Sequence, residues 1–218
     1  MDRVVIYGVG SPIVADVQES LERAGAVLAA AVRNLPCEVR LLDGVTPVEL
    51  TGLTLAVLAL PFLAPFFTPA NRQKVVREAF GAGFRSGYSL IDPTVPRSPS
   101  LVHGPGLYVN AGCTLGAAGN FGEWVFINRG ASVGHHARFG DFVSIGPGAV
   151  VSGSVKLGRG CVIGAGAVVM PELSIGNNSV VGAGSVVTKD VADNCLVLGV
   201  PAKVVRTGIA GFGDQAVT

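Results

Sequence analysis

From Val109 to Ala192 the chain repeats every six residues without a slip. Stepping by six from Val109 reaches Leu115, Phe121, Ile127, Val133, Phe139 and Ile145, and the series stays apolar through Val187. The next residue is Gly in nine of these hexads and Asn in two more, Asn110 and Asn128. Four places after each apolar position stands Cys, Gly, Val, Ala or Ser, with only Leu173 larger. One bulky and one small position per hexad predict a short strand followed by a tight corner. Gly and Asn supply the backbone angles that corners need. A single hexad cannot bury its apolar side chain, whereas stacked coils share a continuous core, so the pattern predicts a solenoid.

Composition narrows the classes. Charged residues are only 14 % of the chain and Gly accounts for 31 of 218 residues. Such low charge raises the question of a membrane, but no apolar run reaches the roughly 18–20 residues of a spanning helix. The nearest, Leu53–Phe67, is broken by Pro61 and Pro65. The apolar excess is therefore assigned to the solenoid core and to a buried face between subunits, with Trp124 and Phe126 as its markers. A net charge of +1 leaves no basic footprint for nucleic acid. Cys37, Cys113, Cys161 and Cys195 have no metal-ligand spacing, and Cys113 and Cys161 fall in the small inward slot, which predicts buried thiols. The opening residues lack a signal-peptide core, so the expected location is the cytoplasm.

Ahead of the repeat the pattern changes. Arg3–Tyr7 reads as a buried strand, Gly8-Val9-Gly10 as a turn, Ile13–Ala24 as a helix and Ala26–Val32 as a second strand. Val48–Leu50 reads as a short helical turn and Leu53–Leu60 as a third, wholly apolar strand. Asn71–Phe80 reads as a helix with Val75, Val76 and Phe80 inward and Arg72, Lys74, Arg77 and Glu78 outward. Strand, glycine turn, helix and strand open a Rossmann-like β-α-β-α-β unit, where a helix N-terminus can meet a phosphate. The expected organisation is mainly β with an α/β N-terminal unit: a substrate-binding domain over 1–89, an extended passage rich in proline, a β-helix over 100–206 and a flexible, Gly-rich tail over 207–218.

The [LIV]-G-x4 pattern together with this layout resembles the sialic-acid O-acetyltransferase and nucleotide-amino-sugar N-acetyltransferase family, of the NeuD/PglD type. The resemblance covers nearly the whole chain, closely over residues 109–206. It implies a left-handed parallel β-helix that holds acetyl-CoA, a front domain that holds a nucleotide sugar, and a homotrimer with sites between subunits. The family motif I-N-x6-H-[DE] matches Ile127-Asn128 and His135-His136. His135 thereby takes the place of the general base, a task that suits an imidazole titrating near working pH. Small residues one coil away, Ala117 and Gly153, are expected to leave room for substrate. The resemblance further implies that Asn128 hydrogen-bonds the acceptor sugar and that the Gly153 N–H steadies the oxyanion. Ser144 stands near a histidine that contacts acetyl-CoA in many members. Gly199–Lys203 matches a terminal GVPAK near the CoA adenine, with Lys203 and Arg206 facing phosphate. Gly8 and Gly10 would approach the sugar's phosphates.

The chain also departs from the family. His136 replaces the acid that usually follows the base, and Ser144 replaces the second histidine. The front turn G-x-G-G-H-G becomes Gly8-Val-Gly-Ser-Pro-Ile13, where Pro12 has no N–H to offer, and Arg33-Asn34 stand where an acidic pair is usual. The reading is an acetyl-CoA-dependent transferase acting on the amine or hydroxyl of a sugar, nucleotide-linked or free, with no metal. The alternative is a non-catalytic trimeric β-helix binding or assembly protein derived from the same family. A zinc site of the γ-carbonic anhydrase kind would need another histidine where Gly140 stands.

Overall fold

The computed structural model describes residues 1–42, 45–96 and 98–218. The front unit runs β1 (Arg3–Tyr7), α1 (Val14–Arg23), β2 (Val27–Arg33), β3 (Val48–Glu49), α2 (Leu55–Leu58), β4 (Phe62–Leu63) and α3 (Pro69–Gly81). Its four parallel strands lie in the order β3-β2-β1-β4. The sheet centre is dry: Val4, Val5 and Ile6 of β1 are fully buried, as a parallel strand covered on both sides requires.

Two expected elements differ. Leu53–Leu60 is not a strand: Thr54 caps the one-turn helix α2 through its side chain, Leu55 is 85 % exposed, and the fourth sheet strand begins only after Pro61. A short apolar run fits a helical turn or a strand equally well by periodicity, and here the Thr54 cap favours the helix. Val48–Glu49 pairs with β2 as a strand, and the helical turn falls one step later, at Leu50–Gly52. In α3, Val75 and Val76 are buried as expected, but Phe80 is exposed and Arg72 is buried.

The remainder is a left-handed parallel β-helix with three faces. The docked face stacks Leu90–Ile91, Tyr108–Val109, Phe126–Ile127, Ser144–Ile145, Val162–Ile163, Val180–Val181 and Cys195–Gly199. The valine face stacks Thr114–Leu115, Ser132–Val133, Val150–Val151, Val168–Val169 and Val186–Val187. The charged face stacks Val102–His103, Asn120–Phe121, Arg138–Phe139, Lys156–Leu157 and Ser174–Ile175. Each strand is two or so residues long, and its second residue points inward. Ile127, Ile145, Ile163 and Val181 line one inner column with no exposure, and the rings of Phe121 and Phe139 stack at 4.5 Å. Cys113 and Cys161 are buried, and burial pushes both thiols up. Coil stacking starts earlier than the strict repeat, at Leu90.

The front unit lies on the docked face. Trp124 and Phe126, expected to mark a subunit interface, are buried within the chain itself. Trp124 sits 5.1 Å from Phe62, and Phe126 lies 5.1 Å from Tyr108 and 5.9 Å from Phe67. The tail is not loose either. Ile209 and Val217 are buried, Ile209 against Val162 and Val180, and Thr218 accepts from Gln73 of α3 at 2.8 Å. Two apolar residues among its glycines anchor it where composition predicts only flexibility. Among the described residues, no helix is long and apolar enough to cross a membrane.

Candidate active site

His135 and His136 occupy the corner between the valine face and the charged face, and both are exposed. Their Nδ1 atoms are 3.0 Å apart and the rings meet edge to face at 84°. The backbone of the corner is fixed from both sides: the His136 N–H donates to Ala117 O on the coil below, and the Ser154 N–H donates to His135 O from above. Gly153 lies against the ring itself. A Cβ there would stand 2.7 Å from His135 Cε1. The space expected beside Gly153 for substrate is thus taken by the imidazole, which the glycine seats. The Gly153 N–H has no partner among the described residues and is free to donate.

Asn128 stands at the other end of the valine face, on the corner next to the front unit, so one chain does not bring it to His135. Its Oδ1 accepts from Asn110 Nδ2 at 3.2 Å and from the Arg129 N–H at 2.8 Å. Asp16 of α1 accepts from Asn110 at 3.2 Å and from Arg129 at 2.6 Å, tying this corner to the front unit.

Ser144 is not on an open surface. It has no exposure, accepts from Arg72 Nη2 at 3.0 Å and donates to Phe67 O at 2.6 Å. A hydroxyl with both roles filled under the front unit cannot touch acetyl-CoA. The expected cofactor contact is therefore corrected: the side chain faces out on the docked face, which α3 and the Phe66–Phe67 segment cover.

Gly8 and Gly10 follow β1, at the sheet's switch point between β1 and β4, where ligands of open α/β sheets bind. Gly8 has φ +97, and a Cβ would meet the Phe66 ring at 2.5 Å. Gly10 lines a cleft of about 280 Å³ with Asn34, Cys37, Phe66, Asn71 and Lys74. A second cleft, of about 530 Å³, continues along Arg33, Pro36 and Glu49. Arg33 is ion-paired with Glu49, and Asn34 donates to Glu78 at 2.8 Å. Lys203 and Arg206 lie exposed on the antiparallel hairpin that ends the solenoid, and Arg206 stands 3.7 Å from Asp214.

Residues 136–171 and 154–189 match the family described as bacterial transferase hexapeptide (six repeats). Among solved structures, the chain is similar to a histidine-to-asparagine mutant of the perosamine N-acetyltransferase of Caulobacter crescentus, in complex with CoA and GDP-perosamine. The two are 33 % identical over 94 % of this chain and 97 % of that one, with a TM-score of 0.82. The chain belongs to the NeuD/PglD-type sugar acetyltransferases. It is also similar to the acetyltransferase domain of PglB from Neisseria gonorrhoeae, solved with acetyl coenzyme A, at 26 % identity, 93 % and 98 % coverage and a TM-score of 0.82. WeeI from Acinetobacter baumannii shares the fold at 21 % identity, 94 % and 100 % coverage and a TM-score of 0.73. No protein of curated function matches by sequence.

As a NeuD/PglD-type acetyltransferase, the chain needs its front unit held in register with its solenoid, and the residues that do so escaped the sequence reading. Arg72, on an outward slot of the expected helix, is 1 % exposed and donates to Trp124 O, Phe67 O, Phe142 O and Val143 O as well as Ser144. Burial pulls its ionisation down to about 9, still above neutral pH, so it remains a cation. Asp92 is fully buried where α1 meets the first coil. It accepts from Ser20 at 2.7 Å, Arg23 at 2.9 Å and Thr94 at 2.7 Å. Burial alone would raise its ionisation, but the hydrogen bonds from Thr94, Arg23 and Ser20 outweigh it and hold the carboxyl at about 2. Neither residue sits in a motif, and their partners are far away in sequence. Among the described residues no cluster of His, Cys, Asp or Glu could hold a metal ion.

Proposed function

We propose that this acetyltransferase moves the acetyl group of acetyl-CoA onto the amino group of a nucleotide-linked amino sugar, with His135 as general base. The observation that carries the reading is the seat of His135. Its imidazole lies on Gly153, beside an unpaired backbone N–H, at an open corner of the β-helix. The perosamine N-acetyltransferase, bound to CoA and GDP-perosamine, is similar over nearly its whole length and supports both the donor and the nucleotide link. The sugar nitrogen attacks the acetyl carbon, its proton passes to His135, and the Gly153 N–H donates to the developing oxyanion. The CoA thiolate then leaves.

Residues 1–89 serve as the sugar-nucleotide domain, with Gly10 lining its cleft and Gly8 buried behind it, and 100–206 as the acyl-transfer domain. Lys203 and Arg206, exposed on the closing hairpin, are assigned to offset CoA phosphate charge. The working form is a homotrimer closed through the valine face. The docked face is already covered and the third face carries Arg138 and Lys156. The valine face, by contrast, presents Val150 and Met170 exposed, with Val168 and Val186 half-buried beside them. Association there brings the partner's His135 towards Asn128, which a single chain keeps apart. Four free thiols suit a reducing cytoplasm.

The test is thiol release from acetyl-CoA against GDP-, UDP- and dTDP-linked amino sugars and the free sugars. Turnover with one nucleotide-linked amine that His135→Ala lowers at least a hundredfold supports the reading. Turnover with free sugars alone removes the nucleotide link, and no turnover with any amine removes the substrate class.

A further inference from the structure

Two imidazole nitrogens 3.0 Å apart can share only one hydrogen. Either Nδ1 of His135 carries it and His136 accepts, or the reverse. The surroundings do not bias the choice through a close charge. The corner residues stacked on either side, Ala117, Ala118, Gly153 and Ser154, are uncharged, and neither ring is ion-paired with a carboxylate among the described residues. The charged groups on the flanking elements are Arg138 and Lys156 of the charged face, both exposed, and Glu172, whose backbone N–H caps Gly153 O from the next coil. His136 is held in its left-handed corner conformation, φ 57, by its bond to Ala117.

We propose that His136 is the positioning residue of His135, accepting the Nδ1–H of His135 on its own Nδ1 so that Nε2 of His135 stays bare as the base, and that one proton added to either ring disarms that base. The proposal rests on the reading of His135 as general base.

In the armed state Nε2 of His135 holds a lone pair for the acceptor amine. As the nitrogen–carbon bond forms, the amine proton moves to Nε2, the carbon–sulfur bond breaks with its electron pair going to sulfur, and the imidazolium returns the proton to the thiolate. The His135 cation is stabilised by the Nδ1–H···Nδ1 bond it already donates. A proton placed on His136 reverses that bond. The Nδ1 hydrogen of His135 has then passed to His136 and the added proton sits on Nε2 of His135, so the base is lost although the charge lies on His136. A carboxylate in this position could only accept. Wherever the charge lies, the protonated pair is one species with hydrogen on both Nε2 atoms, and its protonation belongs to the pair.

The experiment is nitrogen NMR of histidine-labelled protein across pH. It is readable because the chain has only three histidines, and His103→Gln assigns the third. The expected result is a protonated Nδ1 and bare Nε2 on His135 at high pH, with both rings of the pair responding together as pH falls. In His136→Glu, His135 responds to pH alone, because a carboxylate has no ring nitrogen with which to share the proton. The acid limb of kcat/KM for the amino sugar then follows that single ring. His136→Phe lowers kcat about tenfold with KM for acetyl-CoA unchanged, and His136→Glu restores it. Independent titration of the two rings overturns the proposal, as does a His136→Phe enzyme with unaltered kcat and acid limb. Failure of the base reading shows separately: His135→Ala would keep full turnover while the spectra still showed a shared proton, and the switch would then control nothing.

Discussion

Arg72 of the front unit donates to Ser144 of the solenoid at 3.0 Å, and Ser144 passes its own hydrogen back to Phe67 O at 2.6 Å. Both side chains are closed to solvent. The guanidinium has no carboxylate partner among the described residues. Backbone carbonyls and one hydroxyl satisfy its fork, and the carbonyls of Trp124 and Phe142 have no other donor among the described residues.

Arg72→Met is expected to lose about 3 kcal/mol or more of stability in urea unfolding, since several buried acceptors lose their donor at once. Ser144→Ala should lose about 1–2 kcal/mol and leave KM for acetyl-CoA unchanged. A raised KM with unchanged stability would return Ser144 to the donor site.

Asp92 makes stability depend on acid. Its folded carboxyl ionises at about 2, below the ordinary value of 3.8. The stabilisation is therefore complete above about pH 4 and is lost as pH falls towards 2, to a total of about 2 kcal/mol. Urea midpoints measured from pH 6 down to 2 should show this loss in the native chain. Asp92→Asn should be less stable at pH 6 and lack this part of the acid slope.

Gly153→Ala separates the site from the fold. The atoms nearest the added methyl all belong to the exposed His135 ring, which can swing away, so the melting temperature should hold within a few degrees. Displacing His135, the proposed base, should lower kcat about 10- to 100-fold. Steady-state kinetics beside a thermal melt decide it, and full activity would show that the seat is not used.

The valine face is open to a direct test. Val150→Asp with Val168→Asp places charges on two adjacent rungs while leaving the inward residues Val151 and Val169 untouched. Sedimentation velocity should show a trimer for the native chain and a folded monomer for the variant, with loss of turnover, if the proposed interface is the one used. A trimer that survives both substitutions would put the interface on another face.

The solenoid could be read directly because its rule is local. Each hexad carries its own inward residue and its own corner, so the inward residues follow from spacing, while their stacking every 18 residues into the column Val109, Ile127, Ile145, Ile163 follows only once the family resemblance supplies three faces per coil. The front unit was legible only where periodicity was unambiguous, as in β1, α1 and β2. Leu53–Leu60 misled because an apolar run does not say whether a capped helical turn or a strand will use it. His135 and Asn128 stand out in the sequence only through the family motif, and the seat of the His135 ring on Gly153, where spacing predicts open room, comes from the structure alone.

The amino-acid order by itself determined a stacked six-residue repeat, the inward residue of each hexad, and the corner that carries His135-His136. Only the tertiary structure decided which outward residues meet water. Phe126, Ser144 and Val162 occupy equivalent outward positions on successive rungs. All three are buried because α3, the Phe66–Phe67 segment and the tail lie over them. Arg72 likewise reads as a surface cation until the carbonyls of Trp124, Phe142 and Val143 close around it. Burial at these sites depends on what folds back across the face, and no repeat of six residues encodes that.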